Sequence, residues 1–67
     1  MKFNEAIEHL TRSFNIYAAI GVPYQAFIVA NGLKGLYAEQ GKKKKAAEFG
    51  EKAEELREQL NKSGYDI

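Results

Sequence analysis

Apolar side chains recur along this chain with helical spacing in three separate stretches. In the first, Phe3, Ile7, Leu10, Phe14 and Tyr17 follow one another in alternating steps of four and three, with Ala6, Ser13 and Ile20 alongside. Glu5, Glu8, Thr11, Arg12 and Asn15 fall opposite. This is the pattern of an amphipathic helix, predicted over residues 3–20, with one broad face for burial. The third stretch repeats the device with Ala46, Phe49, Ala53, Leu56 and Leu60, which predicts a helix over residues 42–61. On its wet side Glu48 and Lys52 are spaced for an i,i+4 ion pair. The middle stretch differs, because Tyr24, Ala26, Phe27, Ile28, Val29, Ala30, Leu33, Leu36 and Tyr37 leave hardly any polar stripe. A helix over residues 23–40 that is apolar on nearly all sides is expected to be packed on nearly all sides. Gly32 and Gly35 lie inside it at a cost of roughly 1 kcal/mol each relative to alanine, and close approach of a neighbouring backbone is the expected compensation.

Two punctuation points separate the helices. Proline fixes its own φ and disfavours helix for the residue before it, so Val22 ends the first helix and Pro23 opens the second. Gly41 can take the left-handed conformation that closes a helix. Asn61-Lys62-Ser63-Gly64 reads as a stop, leaving residues 62–67 as a short tail. The whole is one all-α domain, since 67 residues lie near the lower limit for a single hydrophobic core.

Composition removes several classes of function. The chain has no cysteine, which excludes disulfides, thiolate metal sites and a cysteine nucleophile, and fits a reducing compartment such as the cytoplasm. An apolar run such as Ile16 to Ile20 is far too short for a signal peptide or a membrane span, so a soluble, non-exported chain is expected. Ten lysines and arginines against nine acids leave no global field to draw in nucleic acid. His9 is the only histidine, and Glu5 with His9 is the only metal-like pair; two such ligands do not make a zinc site. Gly32 and Gly35 lie within a helix and lack the strand that a phosphate-cradling loop requires. No enzyme and no cofactor is expected from this inventory.

Leu33, Tyr37, Gly41, Ala46, Phe49, Ala53 and Leu56 stand in the order and spacing of one tetratricopeptide repeat, and the stretch from Ala30 to Leu56 resembles that helix–turn–helix family. Two residues depart from the pattern. Lys34 stands where the family prefers a small residue, and Gly50 where it often has an aromatic one. The first helix is similar to the second helix of a preceding repeat, with Phe3, Ala6, Ile7 and Ser13 echoing Ala46, Ala47 and Ala53. Ala6 and Ala46 are about forty residues apart, which resembles the longer-helix variety rather than the common ~34-residue period.

The resemblance implies a three-helix hairpin array of about one and a half repeats: helix B of one repeat, then helices A and B of the next. It implies a non-enzymatic protein-interaction module whose concave face is lined by the middle helix at Ile28, Asn31, Gly35, Ala38 and Glu39, with Lys34 close by. Asn31 is the most informative of these, because a side-chain amide both donates to and accepts from an extended peptide backbone. So short an array leaves a helix face uncovered, since about three repeats are normally needed to bury one. A homodimer is therefore expected, with Phe3, Leu10, Phe14, Tyr17 and Phe27 as candidates for the covered face; a place within a longer array is the other explanation. Two other readings are a purely structural oligomerisation element without a peptide groove, and a three-helix adaptor similar to microtubule-interacting-and-trafficking domains, with which the chain shares short helices and Ala/Tyr spacing.

Lys42 to Lys45 open the third helix, where the macrodipole disfavours cations by about 0.3–1 kcal/mol at low salt. They read as a solubilising cluster, with attraction to an acidic peptide or anionic surface as the alternative. A nucleic-acid face would need a longer basic surface with interleaved aromatics.

Overall fold

The computed structural model of the chain describes residues 2–66. They form three α-helices and no strand: α1, Phe3–Ile20; α2, Pro23–Glu39; and α3, Lys43–Lys62. Met1 and Ile67 lie outside the described residues, and with Ile67 the last position of the expected tail.

Each helix closes in the same way. At Gly41 the backbone turns to φ 77°, a region in which a Cβ would crowd the following carbonyl. The turn lets the Gly41 amide donate to the Ala38 carbonyl at 3.0 Å and the Lys42 amide to the Tyr37 carbonyl at 2.9 Å. Val22 donates to Tyr17 at 3.1 Å after α1, and Tyr65 to Leu60 at 2.9 Å after α3. The starts are less well provided, because the residues preceding the helices, Lys2, Val22 and Lys42, make no side-chain capping bond. Pro23 makes this harmless in α2, since it brings no N–H to be satisfied. At α3 the first turn contains no acid, so its amides and the lysines carry the same sign.

Packing runs between consecutive helices. α2 lies against both α1 and α3, and no α1 Cα comes within 8 Å of an α3 Cα. The buried core is Ala26, Val29, Ala30 and Leu33 of α2 with Ala46, Ala53 and Leu60 of α3. Four of these seven are alanines, which allow the two helices a close approach. No residue of α1 is fully buried. Its inward face is half-buried, and Phe14 reaches across to α3, meeting the Phe49 ring edge-on at 5.7 Å and 86°. Phe49 in turn stacks on Tyr37 of α2 at 5.8 Å and 17°, so this one ring joins all three helices. Lys52 does not pair with Glu48 as its spacing suggests. Its Nζ stands 5.9 Å from the centre of the Phe14 ring, and Glu48 pairs with Lys45 at 3.6 Å.

The middle helix departs from expectation. α2 is covered on one half only, and Tyr24, Ile28, Asn31, Gly35 and Ala38 follow one another along an exposed line on the other half. Two neighbouring helices on one side cannot enclose it. The expected backbone approach at the interior glycines is also absent. A Cβ on Gly32 would meet the Leu10 side chain at 3.3 Å, and one on Gly35 would meet nothing within 4 Å.

Three changes test this account by thermal or denaturant unfolding. Phe49→Ala is expected to cost about 3 kcal/mol, a large share of the roughly 3–10 kcal/mol available to a chain of this length. Gly41→Ala is expected to cost about 1–2 kcal/mol through its left-handed backbone. Lys42→Asp, which supplies the missing cap, is expected to stabilise by about 1 kcal/mol.

Candidate functional site

The exposed line on α2 is the feature of this surface that its own packing does not account for. Residues 24, 28, 31, 35 and 38 fall one helical turn apart on the side facing away from the buried Ala26, Val29, Ala30 and Leu33. It therefore contains Ile28, Asn31, Gly35 and Ala38 of the groove candidates, with exposed Glu39 at its margin. Asn31 presents an amide to solvent, flanked one turn away by an isoleucine and a glycine without a neighbour. Chemically the line offers backbone-like hydrogen bonding at Asn31, apolar contact at Ile28 and room for a close chain at Gly35.

Lys34 lies on the flank of α2 that meets α3. Its stem lies over Gly50 of α3, with Cδ and Cε each 3.6 Å from where a Cβ on that glycine would be. The two departures from the repeat pattern thus face each other across the α2–α3 crossing, a long side chain filling the space of an absent one. Beside them runs an open groove of about 720 Å³ lined by Lys34, Ala38, Ala47, Gly50, Glu51 and Glu54, among others.

The residues proposed for self-association turn inward. Phe3, Leu10, Phe14, Tyr17 and Phe27 are all half-buried within the chain. Leu10 packs towards Gly32 and Phe14 against Phe49. The reason is that α2 and α3 already cover the main apolar face of α1. The large apolar side chains left exposed are Ile16, Ile20, Tyr24, Ile28 and Tyr65. Spacing alone placed Ile20 beside the buried face and Tyr65 in the tail. The signal for Ile16, Ile20, Tyr24 and Ile28 was the absence of any charged residue from Ser13 to Leu33; Tyr65, next to Asp66, carried no such signal.

The polar clusters are surface features. His9 lines a shallow depression with Glu5, Glu8 and Arg12, and Arg12 Nη2 donates to Glu8 Oε1 at 2.9 Å. Among the described residues no group of three or more His, Asp or Glu could hold a metal ion. Lys42 to Lys45 are all exposed. Among the described residues no helix is long and apolar enough to cross a membrane.

These features define an all-α, three-helix array with one open helix face. No family model matches the chain, and searches of curated proteins and of solved structures return no match.

Gly35 gives a direct test of the open face. With no neighbour within 4 Å, Gly35→Ala is expected to raise stability by about 1 kcal/mol, or Tm by about 4–8 °C for a chain of this size.

Proposed function

We propose that this chain is a non-enzymatic protein-interaction module of the tetratricopeptide type, which takes an extended peptide along the exposed line of α2 and pairs with a second copy of itself. The observation that carries the reading is the exposed face of α2, where an uncharged line from Tyr24 to Ala38 lies on a helix otherwise backed by its neighbours. A helix surface of this kind gains little from water, and apart from the Tyr24 ring, which stacks on Tyr65, it faces away from the buried core. Asn31 supplies the peptide with paired donor and acceptor, and Ile28 and Ala38 supply apolar contact. The register of Leu33, Tyr37, Gly41, Ala46, Phe49 and Ala53 supports the same reading. The module acts in the cytoplasm, without cofactor, nucleic acid or membrane.

A second reading, a structural assembly element with no peptide site, draws on the exposed Ile16 and Ile20 of α1, which lie outside the α2 line. Panning a random peptide display library on the immobilised chain separates the two. For the first reading, enriched peptides are expected to bind the wild-type chain, and Asn31→Ala or Ala38→Arg is expected to weaken them at least about tenfold with helicity and mass unchanged. Failure to enrich any peptide that competes at this face, together with an intact assembly, would leave the structural reading in place.

A further inference from the structure

Asn4, Asn15, Asn31 and Asn61 are the asparagines of the chain, and Asn31 alone is followed by glycine. That order has a chemical consequence, because the backbone nitrogen of the next residue can attack an asparagine side chain. The nitrogen bonds to the side-chain amide carbon, ammonia leaves, and a five-membered succinimide closes. Water then opens the ring at either carbonyl and gives aspartate or isoaspartate, with nothing oxidised or reduced. Glycine in the following position presents no side chain to obstruct the attack and has the backbone freedom to reach the ring geometry. Glu5, Ile16 and Lys62, which follow the other asparagines, obstruct it.

The fold places this pair under guard. Asn31 and Gly32 are both exposed, and the Asn31 side chain makes no hydrogen bond among the described residues. Water therefore reaches the amide freely, and the backbone is what opposes the reaction. In an α-helix the Gly32 N–H is donated to the carbonyl four residues back, that of Ile28. A helical ψ of about −42° also keeps the Gly32 nitrogen from eclipsing the Asn31 Cβ, as ring closure requires.

The guard is as strong as the packing around it. Asn31 stands at the midpoint of α2, out of reach of fraying at either end. α2 is packed against both α1 and α3, so opening at its centre requires those seams to part. Such opening approaches unfolding of the whole chain, which a domain of this size undergoes at modest cost.

We infer that Asn31–Gly32 is a deamidation site held closed by α2, at which water converts the amide to a carboxylate each time the helix opens for long enough. The product puts a negative charge into the interval from Ser13 to Leu33, which otherwise has none. Isoaspartate also adds a methylene to the backbone and breaks the hydrogen-bond register of the helix, so the change is one-way. It removes the Asn31 amide from the line proposed to take a peptide, but the site itself does not depend on that proposal.

The test is peptide mapping by mass spectrometry of the full chain after incubation at mildly alkaline pH, folded in buffer and unfolded in guanidinium chloride, with isoaspartate counted by isoaspartyl methyltransferase labelling. In the unfolded chain, Asn31 is expected to react at least about tenfold faster than the other asparagines, and Gly32→Ala to remove that advantage. The folded chain is expected to react at Asn31 at least about hundredfold more slowly than the unfolded one. Gly35→Ala is expected to slow the folded reaction by the factor by which it raises the folding equilibrium constant, because the reaction draws on the open population. Phe49→Ala, on a different helix, is expected to speed it towards the unfolded rate. An unfolded chain in which Asn31 reacts no faster than its fellows would overturn the site. A folded wild type that reacts as fast as the unfolded chain, or folded rates that ignore the measured stability changes, would overturn the guard by α2.

Discussion

One ring, that of Phe49, touches all three helices. α1 and α3 never bring their backbones together, and the side-chain contacts between them include the edge-on meeting of Phe14 with Phe49 and the Lys52 ammonium over the Phe14 ring. Because Phe49 also stacks on Tyr37, the three helices share one aromatic junction in addition to the α1–α2 and α2–α3 seams. An edge-to-face pair and an offset stack add directional preference to the burial of the rings. Around it the α2–α3 seam is made of alanines and two fully buried leucines, Leu33 and Leu60, which set distance more than direction. The junction lets α1, which buries no residue completely, hold a defined place.

This economy has a counterpart on the outside. With its two neighbours on the same side, α2 keeps half its circumference in solvent even though its sequence is apolar nearly all round. An array of stacked helix pairs shares that property, since each unit can cover only part of its neighbour and relies on the next for the remainder. In this chain the crossing of α2 with α3 is completed by an unusual pair, the Lys34 stem over Gly50. A lysine stem is a flexible hydrocarbon that can lie on an apolar surface while its ammonium stays wet, so it fills the space without burying charge.

Helix identity and the turns were legible in the sequence because their causes are local. Spacing of three and four, Pro23 and Gly41 place the three helices close to where the structure has them. Lys42, expected as the first helical residue of α3, flanks it instead, and Gln40 falls just past the end of α2. What was not legible depends on crossing geometry, which the spacing does not encode. The periodicity assigns Phe14 and Tyr17 to an apolar face, but only the placement of α2 and α3 decides that this face is spent within the chain. In the same way, Gly32 and Gly35 look equivalent in sequence, yet one meets Leu10 and the other meets open space. The α2 line was readable through the repeat register. The exposure of Ile16, Ile20, Tyr24 and Ile28 was readable only as a missing feature, the long interval without charge.

The order of packing along the chain also bears on how the chain reaches this structure. α1 meets α2 and α2 meets α3, with two- or three-residue connections, so nearly every contact joins segments that are neighbours in sequence. Little loop entropy has to be given up before a contact forms, and chains of such low contact order fold in microseconds to milliseconds. Either hairpin can form first with α2 as the common partner, and the later helix then has a half-built surface to settle on. Where α1 and α2 pair first, the surface that greets α3 is a helical hairpin, and the Phe49 ring joins α3 to both of its helices.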